Sequence, residues 1–146
     1  MPPIKFSHVV SFSSEDIPLH RADNLVSGAS GAGAATKKWR CAGEGEASAH
    51  VVLRLERACA IESVDVGNFG SAFVEVQVGR GGGEEDGAFS TLLAASSFMS
   101  PMESRNGQNA ARVRMFATDK LNRDVAAQKW DRVKVVCTQP FNKRVK

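Results

Sequence analysis

The 146-residue sequence predicts an all-β domain, an antiparallel β-sandwich with one or two short helices. Two observations carry this. Short segments along the whole chain alternate apolar and polar residues with a period of two, as half-buried strands do. Clusters of Gly, Pro, Ser, Asn and Asp separate them at short intervals, as hairpin and sandwich turns require. A third supports it: no internal repeat is visible, so the strands belong to one sandwich rather than to an array.

In chain order, residues 4–12 form the first strand, with Phe6, His8, Val10 and Phe12 alternating against Lys5, Ser7 and Val9. SSED and Pro18 end it. Residues 22–27 make a helical turn or an ordered loop. Residues 27–38, SGASGAGAATKK, are Gly- and Ala-rich and read as a flexible loop inside the domain, anchored at its far end by Trp39. The second strand is 50–55, with Val51, Leu53 and Leu55 inward. The third is 61–66, with Val64 and Val66 inward. GNFG then turns the chain into a strand at 72–78.

Residues 79–87, GRGGGEEDG, make a hairpin turn into a strand at 89–95. Residues 96–109 read as a long loop with a Pro and an Asn-Gly turn signal. In the strand that starts at Ala111, Val113 and Met115 face inward and Arg112 and Arg114 outward. Thr118 is placed to cap a short helix through Gln128. Residues 131–137 form the last strand, with Val133, Val135 and Cys137 inward.

The strand at 72–78 carries an anomaly. Ala72, Val74, Val76 and Val78 form one face, so Phe73 shares the other with Glu75 and Gln77. Burying a Phe is worth roughly 1.5–3 kcal/mol, so a fold that leaves one on a polar face has covered it or kept it for a partner.

Composition bounds the function. A single domain of this length buries about 68–70% of its unfolded surface and needs no staples. Hydrophobic content is 42% and charged content 24%, ordinary for a globular chain. The net charge of +3 permits nucleic-acid or acidic-protein partners without demanding them. Cys41, Cys59 and Cys137 are odd in number and widely spaced, which argues against a disulfide framework or a structural zinc. Neither a signal-peptide pattern nor a membrane-length apolar run is present, so a soluble intracellular protein is expected, with no membrane partner.

Catalytic patterns are missing. GRGGG lacks the phosphate-loop signature and leads into a strand rather than a helix. His8, His20 and His50 are scattered without metal-ligand spacing. Glu84, Glu85 and Asp86 sit in a glycine loop, where a solvated turn is the simpler reading than a carboxylate pair. The expectation is no enzyme, no metal and no cofactor.

The basic residues say more. Arg112, Arg114, Arg132 and Lys134 all fall on outward positions. This is either a solvated sheet face or, with Phe73 among them, a binding surface, since interface hot spots favour aromatic and Arg residues. Lys37, Lys38 and Arg40 beside Trp39 suit a phosphate backbone or an unstacked base; the alternative is an inward Trp with solvated cations.

The segments IKFSHVVSFSSED, VDVGNFGSAFVEVQVG, LLAASSFMSPMESRNGQN, RVRMFATDKL and KWDRVKVVCTQPF, in this order, resemble the N-terminal domain family of X-ray repair cross-complementing protein 1. The resemblance spans essentially the whole chain, which makes residues 1–146 one domain. It implies a jelly-roll, galactose-binding-like sandwich in a nuclear, non-enzymatic scaffold of single-strand break and base excision repair. The implied partners are DNA polymerase beta and nicked or gapped DNA, with other repair factors held by parts of a longer chain. The polymerase site it implies comprises Phe73, Thr91, Arg114 and Lys134, and alternation adds Glu75 beside Phe73. The DNA site is placed at Lys37, Lys38, Trp39, Arg40 and Arg112.

Departures from the family are visible. Thr91 stands where the family has an aliphatic residue beside the Phe, which makes that pocket more polar. Phe12 and His20 replace a cysteine pair, which removes a redox switch there. The insert before Trp39 is longer. The family continues past Lys146 with one more apolar strand, whose absence would leave an unpaired edge. A carbohydrate-binding sandwich is the alternative reading, since fold alone does not fix function.

Overall fold

The computed structural model describes residues 4, 6–15, 22–25, 39–43, 45–80 and 89–143. Seven strands are formed: β1 (Phe6–Phe12), β2 (Ser48–Cys59), β3 (Val64–Phe69), β4 (Phe73–Gly79), β5 (Ser90–Ser97), β6 (Ala111–Phe116) and β7 (Trp130–Thr138). They make a five-stranded antiparallel sheet in the order β1-β2-β7-β4-β5 and a two-stranded sheet of β3 and β6. Two helices, α1 (Pro101–Asn106) and α2 (Arg123–Ala126), and two 3-10 turns at Ala22–Leu25 and Thr118–Lys120 complete the described domain. The all-β sandwich is therefore as expected.

The inner face of the large sheet is built by alternation. Val51, Leu53 and Leu55 of β2, Val74, Val76 and Val78 of β4, and Val133 of β7 are all buried. β5 departs from strict alternation, because both Leu92 and Leu93 are buried. A register irregularity against Val76 and Gln77 re-aims one of them inward. β1 departs more. Irregularities between Phe6 and His8 and between Val9 and Ser11 reorder its faces. Phe6 and Val9 pack inward, whereas His8 and Phe12, which alternation groups with Phe6, are exposed.

Residues 96–109 hold a helix where a loop was expected. Ser100 and Glu103 close a capping box: the Ser100 hydroxyl accepts from the Glu103 N–H, and the Glu103 carboxylate accepts from the Ser100 N–H. Pro101 starts the helix and Gly107 ends it at φ 68, so the Asn-Gly pair is a helix stop rather than a hairpin. The helix expected over 118–128 is instead broken in two. Leu121 turns extended and buries its side chain, and Asn122 rather than Thr118 caps the following turn, accepting from Asp124 and Val125 N–H.

The glycine and loop segments at 27–38 and 81–87 lie outside the described residues, as do Lys37, Lys38 and His20. β4 and β5, which flank the second of them, do pair antiparallel as a hairpin requires. Trp39 anchors as expected. Its Nε1–H donates to the Ser14 carbonyl at 2.8 Å and its ring packs on the cluster of Ala22, Val51 and Leu53. The three cysteines are free thiols. No helix among the described residues is long and apolar enough to cross a membrane.

Candidate functional site

The register of the large sheet fixes what lies beside Phe73 on its outer face. Phe73 is flanked by Thr138 of β7 and Ser97 of β5. Glu75 lies opposite Val136, which is opposite His50 of β2. Gln77 is flanked by Lys134 and Thr91. Phe73, Glu75, Thr91 and Lys134 therefore share one surface, as expected, and Gln77 joins them as the residue between Thr91 and Lys134.

Phe73 is half-buried, not free, because Phe141 folds back beside it with ring centroids 6.1 Å apart. The pair makes a low apolar mound at one end of the face. Next to it, Gln77 Nε2 donates to Glu75 Oε2 at 2.7 Å, which fixes the carboxylate in place. Lys134 lies over the ring of Phe89 at 5.5 Å, a cation–π contact that holds the ammonium to the sheet. Phe89 and Phe141 are candidate site residues that the sequence reading did not assign: Phe89, read as the first residue of a strand, lies one residue before β5, and Phe141 follows β7. The signal for Phe141 was available in the QPF motif that follows β7.

Arg112 and Arg114 correct the sequence reading. β6 lies in the small sheet, and its arginines share a face with buried Phe116, while Val113 and Met115 are 70% and 77% exposed. The guanidinium of Arg114 covers Phe116 at 4.8 Å and Phe98 at 5.5 Å, and its Nη1–H donates to the Ser97 carbonyl at 2.8 Å. Arg112 donates to the Phe98 carbonyl at 2.7 Å and pairs with Glu103. Two arginines turn toward the protein because they satisfy carbonyls at the end of β5 and lay their planar groups over aromatic rings, which the alternating apolar residues cannot do. Ser97 is the register partner of Phe73, so Arg114 still reaches the edge of the Phe73 row, from the other sheet.

Of the second basic set, Trp39 and Arg40 are among the described residues. Trp39 is turned inward, and Arg40 lies over the Phe69 ring at 4.7 Å, at the end of β3. Lys37 and Lys38 are outside the described residues. A cavity of about 270 Å³ opens between β3 and the inner face of the large sheet, lined mainly by apolar side chains with Arg40, Asp65 and Asn68 among them. Among the described residues no group of His, Cys, Asp and Glu side chains is arranged to hold a metal. His50 titrates below the ordinary imidazole range, because burial disfavours its charged form and Lys134 repels it.

Comparisons with known proteins bear on the family and the fold. The family profile described as the XRCC1 N terminal domain matches residues 1–146. The DNA repair protein XRCC1 of Homo sapiens is 53% identical over 146 residues, and that of Rattus norvegicus 53% over 148. In both cases 98% of this chain is covered but only 22% of the relative, so the chain spans about a fifth of these curated relatives. A solved structure of reduced XRCC1 bound to the DNA pol beta catalytic domain superposes with a TM-score of 0.89 at 53% identity, covering 97% of this chain and 90% of that one. A chitosan-binding module from a Paenibacillus sp. IK-5 chitosanase/glucanase superposes at 0.58 and 15% identity, covering 92% of this chain and 87% of that one, and shares the fold alone. On the profile match along its length and the identity to curated XRCC1 proteins, this chain belongs to the XRCC1 N-terminal domain family.

Proposed function

We propose that this domain is a non-enzymatic scaffold module of nuclear single-strand break and base excision repair, which docks DNA polymerase beta through the outer face of the large sheet and binds nicked or gapped DNA through basic groups. The observation that carries the polymerase reading is the single surface shared by Phe73, Glu75, Thr91 and Lys134, with Arg114 at its edge, in a chain 53% identical to an XRCC1 solved with the polymerase. The surface has the anatomy of a docking site. An apolar mound of Phe73 and Phe141 is flanked by one fixed carboxylate and one fixed ammonium, with the polar Thr91 on the open side.

The DNA reading rests on Arg40, Arg112, Lys37 and Lys38, with Trp39 contributing structure rather than stacking. Arg40 keeps a guanidinium at the Phe69 end of the small sheet, and Arg112 pairs with Asn68 in register at that same end. The test of docking is titration calorimetry with DNA polymerase beta. Phe73→Ala is expected to weaken binding by at least ~2 kcal/mol, as hot-spot truncations do, while the variant melts close to the parent. Unchanged affinity would remove Phe73 from the docking site; a collapse in stability would make it a core residue.

A further inference from the structure

The outer face carries a second feature, at the end away from Phe73. Arg54 of β2 and Arg132 of β7 are register partners, directly opposite each other. Like charges in that position repel and are selected against in a sheet without a further reason. Among the described residues no ion pair reaches Arg54, Arg132 or Lys134. The Nε of Arg132 is buried with no hydrogen-bond partner. On its other side Arg132 faces Gly79, which has no side chain to cover it. The Phe89 ring packs over Gly79, so closely that an added Cβ would lie 3.1 Å from it, and Lys134 rests on the same ring. The result is a patch of the outer face that holds the register-paired Arg54 and Arg132, with Lys134 on the Phe89 ring that covers Gly79.

We infer that this patch binds a terminal phosphate monoester of a broken DNA strand, with Arg54 and Arg132 as a paired clamp and Lys134 beside them. Register partners in an antiparallel ladder have Cα atoms about 4.5–5.5 Å apart, so two planar guanidinium forks are within reach of one anion. A phosphate monoester carries about −1.5 to −2 charges and three acceptor oxygens, enough for both forks. An internal phosphodiester carries one charge on two terminal oxygens and so neutralises the pair less fully. The inference rests on the reading of the domain as a binder of nicked or gapped DNA and assigns the group at the break that it holds.

The experiment is fluorescence anisotropy of the domain on a gapped duplex whose gap carries a 5′-phosphate, a 3′-phosphate or hydroxyls on both sides. The parent is expected to bind one phosphorylated form about tenfold more tightly than the hydroxyl form, the scale of one charge-assisted contact. In Arg54→Gln and Arg132→Gln that preference disappears while affinity for the hydroxyl form stays. Arg54→Gln also melts no lower than the parent, since it removes a repulsion. A parent that binds gapped duplex with no preference among the ends overturns the clamp and leaves the DNA reading standing. Failure to bind gapped duplex at all overturns both. Displacement of phosphorylated duplex by a phosphoserine peptide at equal affinity overturns the assignment to DNA.

Discussion

Arg114→Ala separates the geometry of β6 from its sequence pattern. If Arg114 were a free outward cation, its removal would leave stability within about 0.5 kcal/mol of the parent, as most surface changes do. The structure gives it three attachments. A charge-assisted hydrogen bond to the Ser97 carbonyl at 2.8 Å contributes about 1 kcal/mol at an exposed site. The cation–π contacts with Phe116 and Phe98 contribute about 0.5–1 kcal/mol each. Because the three share one side chain they do not add fully, and the expected loss is about 2 kcal/mol. For a domain of this size that is a fall in Tm of about 4–8 °C. Urea unfolding with a fixed slope is the assay. Arg114→Lys keeps the charge but not the planar fork and is expected to recover less than half of the loss. A melting curve for Arg114→Ala that overlays the parent would refute the inward placement of Arg114. A polymerase-binding defect in that variant would then report a direct contact, whereas with the expected destabilisation it reports a contact and a support together.

Two further outcomes test the core around the site. Phe98 is fully buried and stands edge-on to Phe116 at 6.2 Å, so Phe98→Ala is expected to cost about 3–5 kcal/mol by urea unfolding; a loss under about 1 kcal/mol would mean that the space closes over. Burial pushes the Cys137 thiol from 9.0 up to about 11, with Cys41 adding and a Ser71 hydrogen bond opposing. Maleimide labelling of native Cys137 at pH 8 is therefore expected to be about a hundredfold slower than in urea, since the thiolate reacts. Because the folded state holds this proton more tightly than the unfolded one, its share of stability is complete below pH 9.0 and is lost as pH rises toward about 11. Native labelling as fast as in urea would place the thiol at the surface.

What the sequence disclosed and what it hid divide along a physical line. β2, β4 and β7 were legible because each buries one face against the same core, so Val51, Leu53, Val74, Val76 and Val133 alternate as a period of two demands. That alternation also put Phe73 and Glu75 on one outward face and Lys134 on an outward position of another strand, and the family resemblance joined them. β6 was misread because alternation assumes that the apolar set points inward. There Phe116 and the stems of two arginines hold the inner side, and Val113 and Met115 are left in water. β1 was misread because bulges shift its register, and bulges carry no clear signature in FSHVVSF. The α1 helix carried a readable one, Ser100-Pro101 with Glu103, and was passed over for the Asn-Gly signal that ends it.

The inverted face of β6 bears on how the docking surface is kept. β5 is the edge strand of the large sheet, and an edge with open carbonyls invites pairing with other chains. At its Ser97 end those carbonyls are already occupied by Arg114 and, one residue on, by Arg112. Both donors come from the small sheet, so they tie the two layers together at the row that holds Phe73. A leucine at either position would bury apolar area on Phe98 and Phe116 but leave a carbonyl without its donor, at a cost of about 1–3 kcal/mol if water cannot replace it. The same two side chains thus close the edge, join the sheets and set positive charge beside the apolar mound. This is why the arginines occupy the face that a hydrophobic pattern would assign to valine and methionine.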